Sequence, residues 1–287
     1  MTSLKNIQIQ QLINLILLTI LAYSYNLLYP SPITIITLII FAIFLELTIN
    51  YLQKKELYIP YSAAITALGI VLMLGWSLWY IPYILILVAI LQKKFLTIES
   101  HHIFNPSNFA LIMALLLFYP KALPIIGQLG KDIITLYIVI ILGSIILIRV
   151  KRWMISLSFV LTFLLTHLFI FKHYDPHWQI EEFLLKFYST SFIVYIFFML
   201  TDPKTTPASS YLQVLFGFLV AFFTLLLELF IGVHLRNIFI ALFFTSALCF
   251  ICSYPIKSKK IYLLLLLFTT IVSVIILMQA PKYFVVN

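Results

Sequence analysis

The sequence predicts an all-α polytopic membrane protein of about 10–11 transmembrane helices in two repeats, some of them broken or half-helices. Three observations predict this. Hydrophobic residues make up 63% of the 287 and charged residues only 9%, too few charges to solvate a soluble surface of that size, so lipid is the main solvent. Apolar runs of about the ~20 residues a bilayer demands recur along the whole chain. The basic residues stand in short clusters between those runs, as the positive-inside rule requires. That clustering also accounts for the net charge of +9. No nucleic-acid partner is expected, because no basic patch is interleaved with exposed aromatics.

The runs follow in order. Residues 11–29 and 33–52 are joined by Pro30-Ser31-Pro32, a turn short enough to predict an antiparallel pair. Runs at 61–77 and 78–95 flank Trp76, Trp79 and Tyr80, rings that settle at a water interface. A polar segment from Thr97 to His102 leads into a short run at 105–119, followed by a loop with Pro120, Pro124, Gly127 and Gly130. Runs at 133–150 and 153–172 are divided by Arg149, Lys151 and Arg152. The polar stretch from Lys172 to Lys186 reads as an exposed loop with an interfacial helix from Glu181 to Tyr188. A short run at 189–200 and runs at 211–231, 236–254 and 261–279 complete the set.

The chain thus reads as one integral membrane domain over 1–287, with repeat 1 at about 11–119 and repeat 2 at about 133–279. If all eleven runs cross and the N-terminus is cytoplasmic, twelve Lys and Arg fall inside and six outside. That bias predicts an N-in protein of the plasma (inner) membrane. No cleavage site of small residues follows the first run, which therefore reads as a membrane helix and not a removed signal. With two Cys, disulfides do not hold the chain together.

Two polar stretches stand out: His101-His102-Ile103-Phe104-Asn105-Pro106-Ser107-Asn108 and Met199-Leu200-Thr201-Asp202-Pro203-Lys204-Thr205-Thr206-Pro207. Asn and Asp are strong helix N-caps and Pro is favoured at the first helical position, so each stretch predicts a helix start at or within the membrane. Free N–H groups and a partial positive charge at such ends would receive a phosphate, a carbonyl or a carboxylate. Asn105, Ser107, Asn108, Asp202, Lys204, Thr205 and Thr206 are the candidate cofactor-binding residues. The bland alternative is a pair of self-satisfied caps.

Glu46 and Glu228 lie inside apolar runs, where a carboxylate costs about 2.5–3.5 kcal/mol and usually faces protein or water. Each reads as an ion or proton site, or as a group that snorkels or is held protonated. His101 and His102 are adjacent and so cannot chelate one ion alone. His173 and His177 are separated by Pro176, and no metal site is expected. His167 reads as a hydrogen-bonded core histidine. Cys249 and Cys252 sit in an apolar helix and read as packing residues. No Walker loop, GxGxxG, HExxH or nucleophile elbow is present.

The stretch 102–109 resembles the Asn-Pro motif of the RnfD/NqrB family, which holds membrane components of the Rnf electron-transport complex and of the sodium-pumping NADH:quinone reductase. The stretch 199–207 resembles that family's Thr-Asp-Pro motif. The order of the motifs, the roughly ten-helix layout and the turn at 74–82 are similar too, so the resemblance covers about residues 30–280. It implies two structural repeats related to urea and ammonium channels, flavin binding, and electron transfer coupled to ion movement.

The respiratory members attach FMN to the last Thr of a Ser/Thr-Gly-Ala-Thr motif. No Gly in this chain precedes Ala, so covalent FMN is not expected. The chain is closer to stand-alone relatives that lack that motif. FMN or riboflavin held non-covalently is the cofactor left open, with Lys204 meeting a phosphate or a reduced-flavin anion. The implied partners are the lipid bilayer and other Rnf-type redox subunits. Any enzymatic role is that of a membrane oxidoreductase subunit and not of a complete enzyme. A channel or transporter for a small solute or ion, and a structural subunit that anchors redox partners, are the alternatives.

Overall fold

The computed structural model describes residues 2–24, 28, 30–54, 59–98, 101–125, 133–171, 173, 179–187, 189–253 and 259–279. Of the features singled out above, Gly127, Gly130, Asp175 to His177 and the side chains of His101, Glu181, Glu182 and Cys252 lie outside the described residues.

The chain is helical nearly throughout, as its apolar runs predict. Among the described residues, five helices are long and apolar enough to cross a bilayer: α1 (Thr2–Ser24), α2 (Pro32–Lys54), α6 (Ile133–Val150), α7 (Trp153–Thr166, continued by a π-helical turn, His167–Phe171) and α10 (Ser210–Ile231). Interleaved with them are shorter helices. They are α3 (Tyr61–Met73), α4 (Ile81–Phe95), α5 (Pro106–Phe118), α8 (Ile180–Phe187) and α9 (Thr190–Val194, continued as a π-helix, Tyr195–Met199). The last two helices are α11 (Arg236–Ser253) and α12 (Lys259–Met278).

Length separates the two groups by position. At 13 residues each, α3 and α5 reach about 20 Å, short of a hydrocarbon core of about 30 Å. Both are buried along most of their length. A half-length helix leaves backbone groups unpaired at membrane depth, which is tolerated only inside protein. α3 and α5 therefore occupy the interior, and the long helices carry outward-facing apolar side chains such as Phe44, Ile148 and Phe230.

Two predicted details differ. The turn at Pro30-Ser31-Pro32 predicts α1 packing against α2, yet both pack chiefly on α3. The small face of α3, with Ala63, Ala64 and Ala67 buried, lets it sit between them. The region after α3 is also not a simple water-facing turn. Residues Leu74–Trp76 form strand β1. Its antiparallel partner is β4 (Ala122–Pro124), which follows α5. This ribbon takes up backbone groups that the short helices α3 and α5 leave open, and it buries Trp76 while Trp79 stays exposed. A second small ribbon pairs β2 (Thr97–Ile98) with β3 (His101–His102) immediately before α5.

α5 is the hub. It packs on α3 and α4 from its own half and on α11 and α12 from the other. Phe104 stacks on Phe243 of α11 at 4.5 Å between ring centroids. In the second half, α7 and α10 run parallel in close contact. Gln213 Nε2 donates to the Lys151 carbonyl at 3.1 Å and Ser158 Oγ to the Val214 carbonyl at 2.7 Å. A Cβ built at Gly217 would overlap the Ile155 carbonyl oxygen and crowd the Phe159 amide.

Backbone atoms cannot rotate away as a side chain can, so Gly217→Ala is expected to destabilise the folded protein by about 1–3 kcal/mol. Gly75→Ala, whose Cβ would first meet the outer atoms of the Ile125 side chain, is expected to cost less. Thermal unfolding midpoints of the two variants in the same detergent check the order.

Candidate functional site

The site begins with a local event. α5 opens at Pro106 with Asn105 as its N-cap, the Asn105 Oδ1 accepting from the Asn108 amide at 3.1 Å. Once Oδ1 is used for the cap, Nδ2 points away from the helix. It donates to the Met199 carbonyl at 3.4 Å and to Asp202 Oδ2 at 3.2 Å. One side chain thus ties the first polar stretch to the second across 97 residues of sequence.

The second stretch does not open a helix, contrary to the expectation from Asp202-Pro203. It ends the π-helical segment of α9 and forms a compact turn, and α10 begins only at Ser210 with Ser209 as its cap. Pro207 supplies the reason. A helix starting at Pro203 would place Pro207 in its interior, where it lacks an N–H and its ring collides with the carbonyl four residues back. Asp202 is used as a turn former instead. Its Oδ1 accepts from the Lys204 amide at 3.0 Å, and its carbonyl accepts from Thr205 Oγ1 at 3.3 Å and Thr206 Oγ1 at 2.7 Å. Arg152 Nε donates to Thr206 Oγ1 at 3.2 Å and anchors the turn to the start of α7.

Between the two stretches lies a cavity of about 80 Å³ lined by Lys93, His102, Asn105, Ser107, Asp202 and Lys204, with Gln8 and Gln11 of α1 and Ser62 and Thr66 of α3. Four of the seven candidate cofactor-binding residues therefore share one space. The other three point elsewhere. Asn108 Nδ2 donates to the Phe239 carbonyl of α11 at 3.2 Å. Thr205 and Thr206 turn back onto Asp202.

Glu46 stands beside this space, 3% exposed. It does not snorkel. Lys93 Nζ forms a buried ion pair with its Oε2, Lys94 Nζ lies 3.2 Å from its Oε1, and Ser62 Oγ bridges, accepting from Lys93 at 3.0 Å. Lys94 also donates to Asn50 Oδ1 at 2.6 Å. In the sequence, Lys93 and Lys94 read only as the charges that end α4. The partner of Lys93 is 47 residues away, a separation at which no local pattern operates.

Glu228 is held apart from this cluster. It is 4% exposed and lies late in α10, with His167 Nε2 at 2.6 Å from its Oε2 and Lys186 Nζ at 3.2 Å from its Oε1. Arg152, tied to the second stretch, precedes His167 by fifteen residues of α7, so the two clusters are about 22 Å apart along that helix. Glu46 and Glu228 are therefore parts of two separate sites at opposite ends of the bundle.

A flavin ring does not fit the cavity as it stands. Sites for organic ligands run to about 300–1,000 Å³, whereas about 80 Å³ suits a few waters or a small ion. The donor set is mixed in charge, with Asp202 and Glu46 facing Lys93 and Lys204. Of these, Lys204 has a polar head at the cavity and a backbone amide already bonded to Asp202.

Removing Glu46 leaves Lys93 buried without its counter-charge. Glu46→Gln is expected to destabilise by about 3–5 kcal/mol. Lys93→Met is expected to cost less, because Lys94 still neutralises Glu46, and the double variant less than Glu46→Gln alone. Denaturation midpoints of the three proteins test the order.

Compared with known families, residues 122–261 match the model of the NQR2, RnfD, RnfE family. The matched stretch contains β4, the second polar stretch and Glu228, and begins after the first polar stretch. No curated protein matches the sequence.

Proposed function

We propose that the chain, whose residues 122–261 match the NQR2, RnfD, RnfE family, is a membrane subunit of electron transport and couples electron flow in partner redox subunits to the movement of a small ion or proton through the cavity between its two polar stretches. The observation that carries this reading is the contact between Asn105 and Asp202 at the wall of a cavity bearing both charge signs.

Each charged group has a role. The carboxylate of Asp202 has about four lone-pair positions, of which Asn105 and the Lys204 amide take two. The remainder can receive a cation or a proton. Lys93 and Lys204 set the resting charge and would be displaced as an ion passes. Ser107, held to the Thr66 carbonyl at 3.3 Å, and Asn105 keep the wall in place. In this reading the protein lies in the plasma membrane with its N-terminus inside, supported by the distribution of Lys and Arg. The end of the bundle that carries the two polar stretches then faces the cytoplasm. Other Rnf-type subunits are the proposed electron donors and acceptors.

A second reading places FMN or riboflavin non-covalently at Asn105, Ser107, Asn108, Asp202, Lys204, Thr205 and Thr206. It rests on the family resemblance and requires the cavity to widen several-fold, with Gln8 and Gln11 of α1 moving aside.

The absorption spectrum of the purified protein separates the two readings, since oxidised flavins absorb near 450 nm (about the value for the free cofactor). In proteoliposomes of the intact complex, Asp202→Asn is expected to lower electron-driven ion uptake tenfold or more at a temperature where the variant is folded, and to lower the thermal midpoint as well, because its amide nitrogen faces a donor. Unchanged uptake would leave the chain as a structural anchor. Passage of solute without electron flow would make it a channel.

A further inference from the structure

We propose that His167 and Glu228 form a proton-binding site at the end of the bundle opposite the two polar stretches, reached from that surface past Lys186. The site follows from hydrogen-bond bookkeeping. His167 Nδ1 lies 2.8 Å from the Phe163 carbonyl. A carbonyl only accepts, so Nδ1 carries a hydrogen. His167 Nε2 lies 2.6 Å from Glu228 Oε2. A neutral imidazole protonated on Nδ1 has a lone pair on Nε2, and a carboxylate offers lone pairs only. Two lone pairs do not approach to that distance. The contact therefore holds one proton, carried either by Nε2 as imidazolium or by Oε2 as carboxylic acid.

The surroundings close the pair off from water. The imidazole is buried between the Phe163 and Phe183 rings, with centroids at 4.1 and 4.8 Å. Among the described residues, the charged and titratable groups facing the pair are Lys186 of α8, 3.2 Å from Oε1, and His234 in the turn after α10, which lies within electrostatic reach of Glu228 and of Arg236. The Lys186 side chain is 26% exposed and its ammonium lies over the Phe163 and Phe183 rings at 5.4 and 5.9 Å. Among the described residues of the cluster, it is the member that joins the pair to the surface.

Loaded, the three groups sum to one positive charge: imidazolium, carboxylate and ammonium, or imidazole, acid and ammonium. On release the proton passes to water beside Lys186, leaving neutral imidazole, carboxylate and ammonium. The Nε2 and Oε2 lone pairs then face each other and the contact opens. His167 is the first residue of a π-helical turn, a local register that recurs at functional sites, so the ring sits where the helix is least regular. Proton occupancy and the closure of α7 on α10 are thereby linked.

The test uses the full chain in lipid nanodiscs with 15N-labelled histidine at neutral pH. We expect one ring to keep its extra proton. Its signal is absent from His167→Gln, and it shows either two protonated nitrogens or Nδ1–H facing a protonated carboxyl seen in the infrared. Glu228→Gln is expected to remove that one proton and leave a neutral ring protonated on Nδ1. A neutral His167 protonated on Nε2 overturns the proposal, as does a His167 signal that Glu228→Gln leaves unchanged. If either variant fails to fold, the wild-type protein still decides. Six neutral histidine rings with no buried carboxyl band would sink the idea.

Discussion

The hydrogen bond from Asn105 to Asp202 is the contact on which the interior depends. Within a bilayer every polar group must be satisfied by protein, and the two interrupted segments each leave some open. Asn105 closes both at once. Its oxygen caps α5, and its nitrogen reaches the turn that ends α9. An Asp in the place of Asn105 could cap the helix but would set two carboxylates against each other. A Ser could cap but would not reach. The choice of Asn at one stretch and Asp at the other follows from this single geometry.

From that contact the layering follows. Because α5 is short and buried, it can touch four other helices, and because it begins at the cap, the polar residues of its first turn lie against the second stretch. Ser107 then packs against α3 so closely that a Cβ on Gly69 would crowd its hydroxyl. The β1–β4 ribbon does at the far ends of α3 and α5 what Asn105 does at the near end. It gives backbone groups partners where a half-length helix stops. The cavity is what remains between these closed ends, which is why several charged and polar side chains meet in it beside apolar ones.

Most of the helices are legible in the sequence, because length and apolar composition suffice to mark them and lipid solvent enforces both. The Asn105 cap is legible for a similar reason, since capping is decided within four residues. Asp202-Pro203 shares that local signature and predicts the same start, but Pro207 lies within the same window and forbids the helix. The expectation there weighs the start signal without the stop. The partners of Glu46 and Glu228 are not legible at all. A lysine at the end of α4 serves topology and ion pairing with the same atoms, and nothing within its own run distinguishes the two. The wedging of α3 between α1 and α2 is hidden too, because a short turn constrains where the next helix begins and not what comes to lie beside it.

The two ionic clusters differ in a way that matters for how charge crosses such a protein. Glu46 is neutralised by two lysines, while Glu228 is met by a histidine and a partly exposed lysine. Between them, along α7 and α9, the described side chains form an aromatic layer: Phe159 on Phe163, Tyr195 edge-on to Phe159 and Phe239, Phe192 beside both. Tyr195 has spent its hydroxyl hydrogen on the Ile238 carbonyl at 3.0 Å. An ion in that layer would find no partners, and an unpaired charge in an apolar interior is strongly disfavoured. Static packing therefore insulates one end from the other. The irregular backbone lies where movement would have to begin, since one π-helical turn starts at His167 and the other, Tyr195–Met199, carries the aromatic layer into the carbonyl that Asn105 holds.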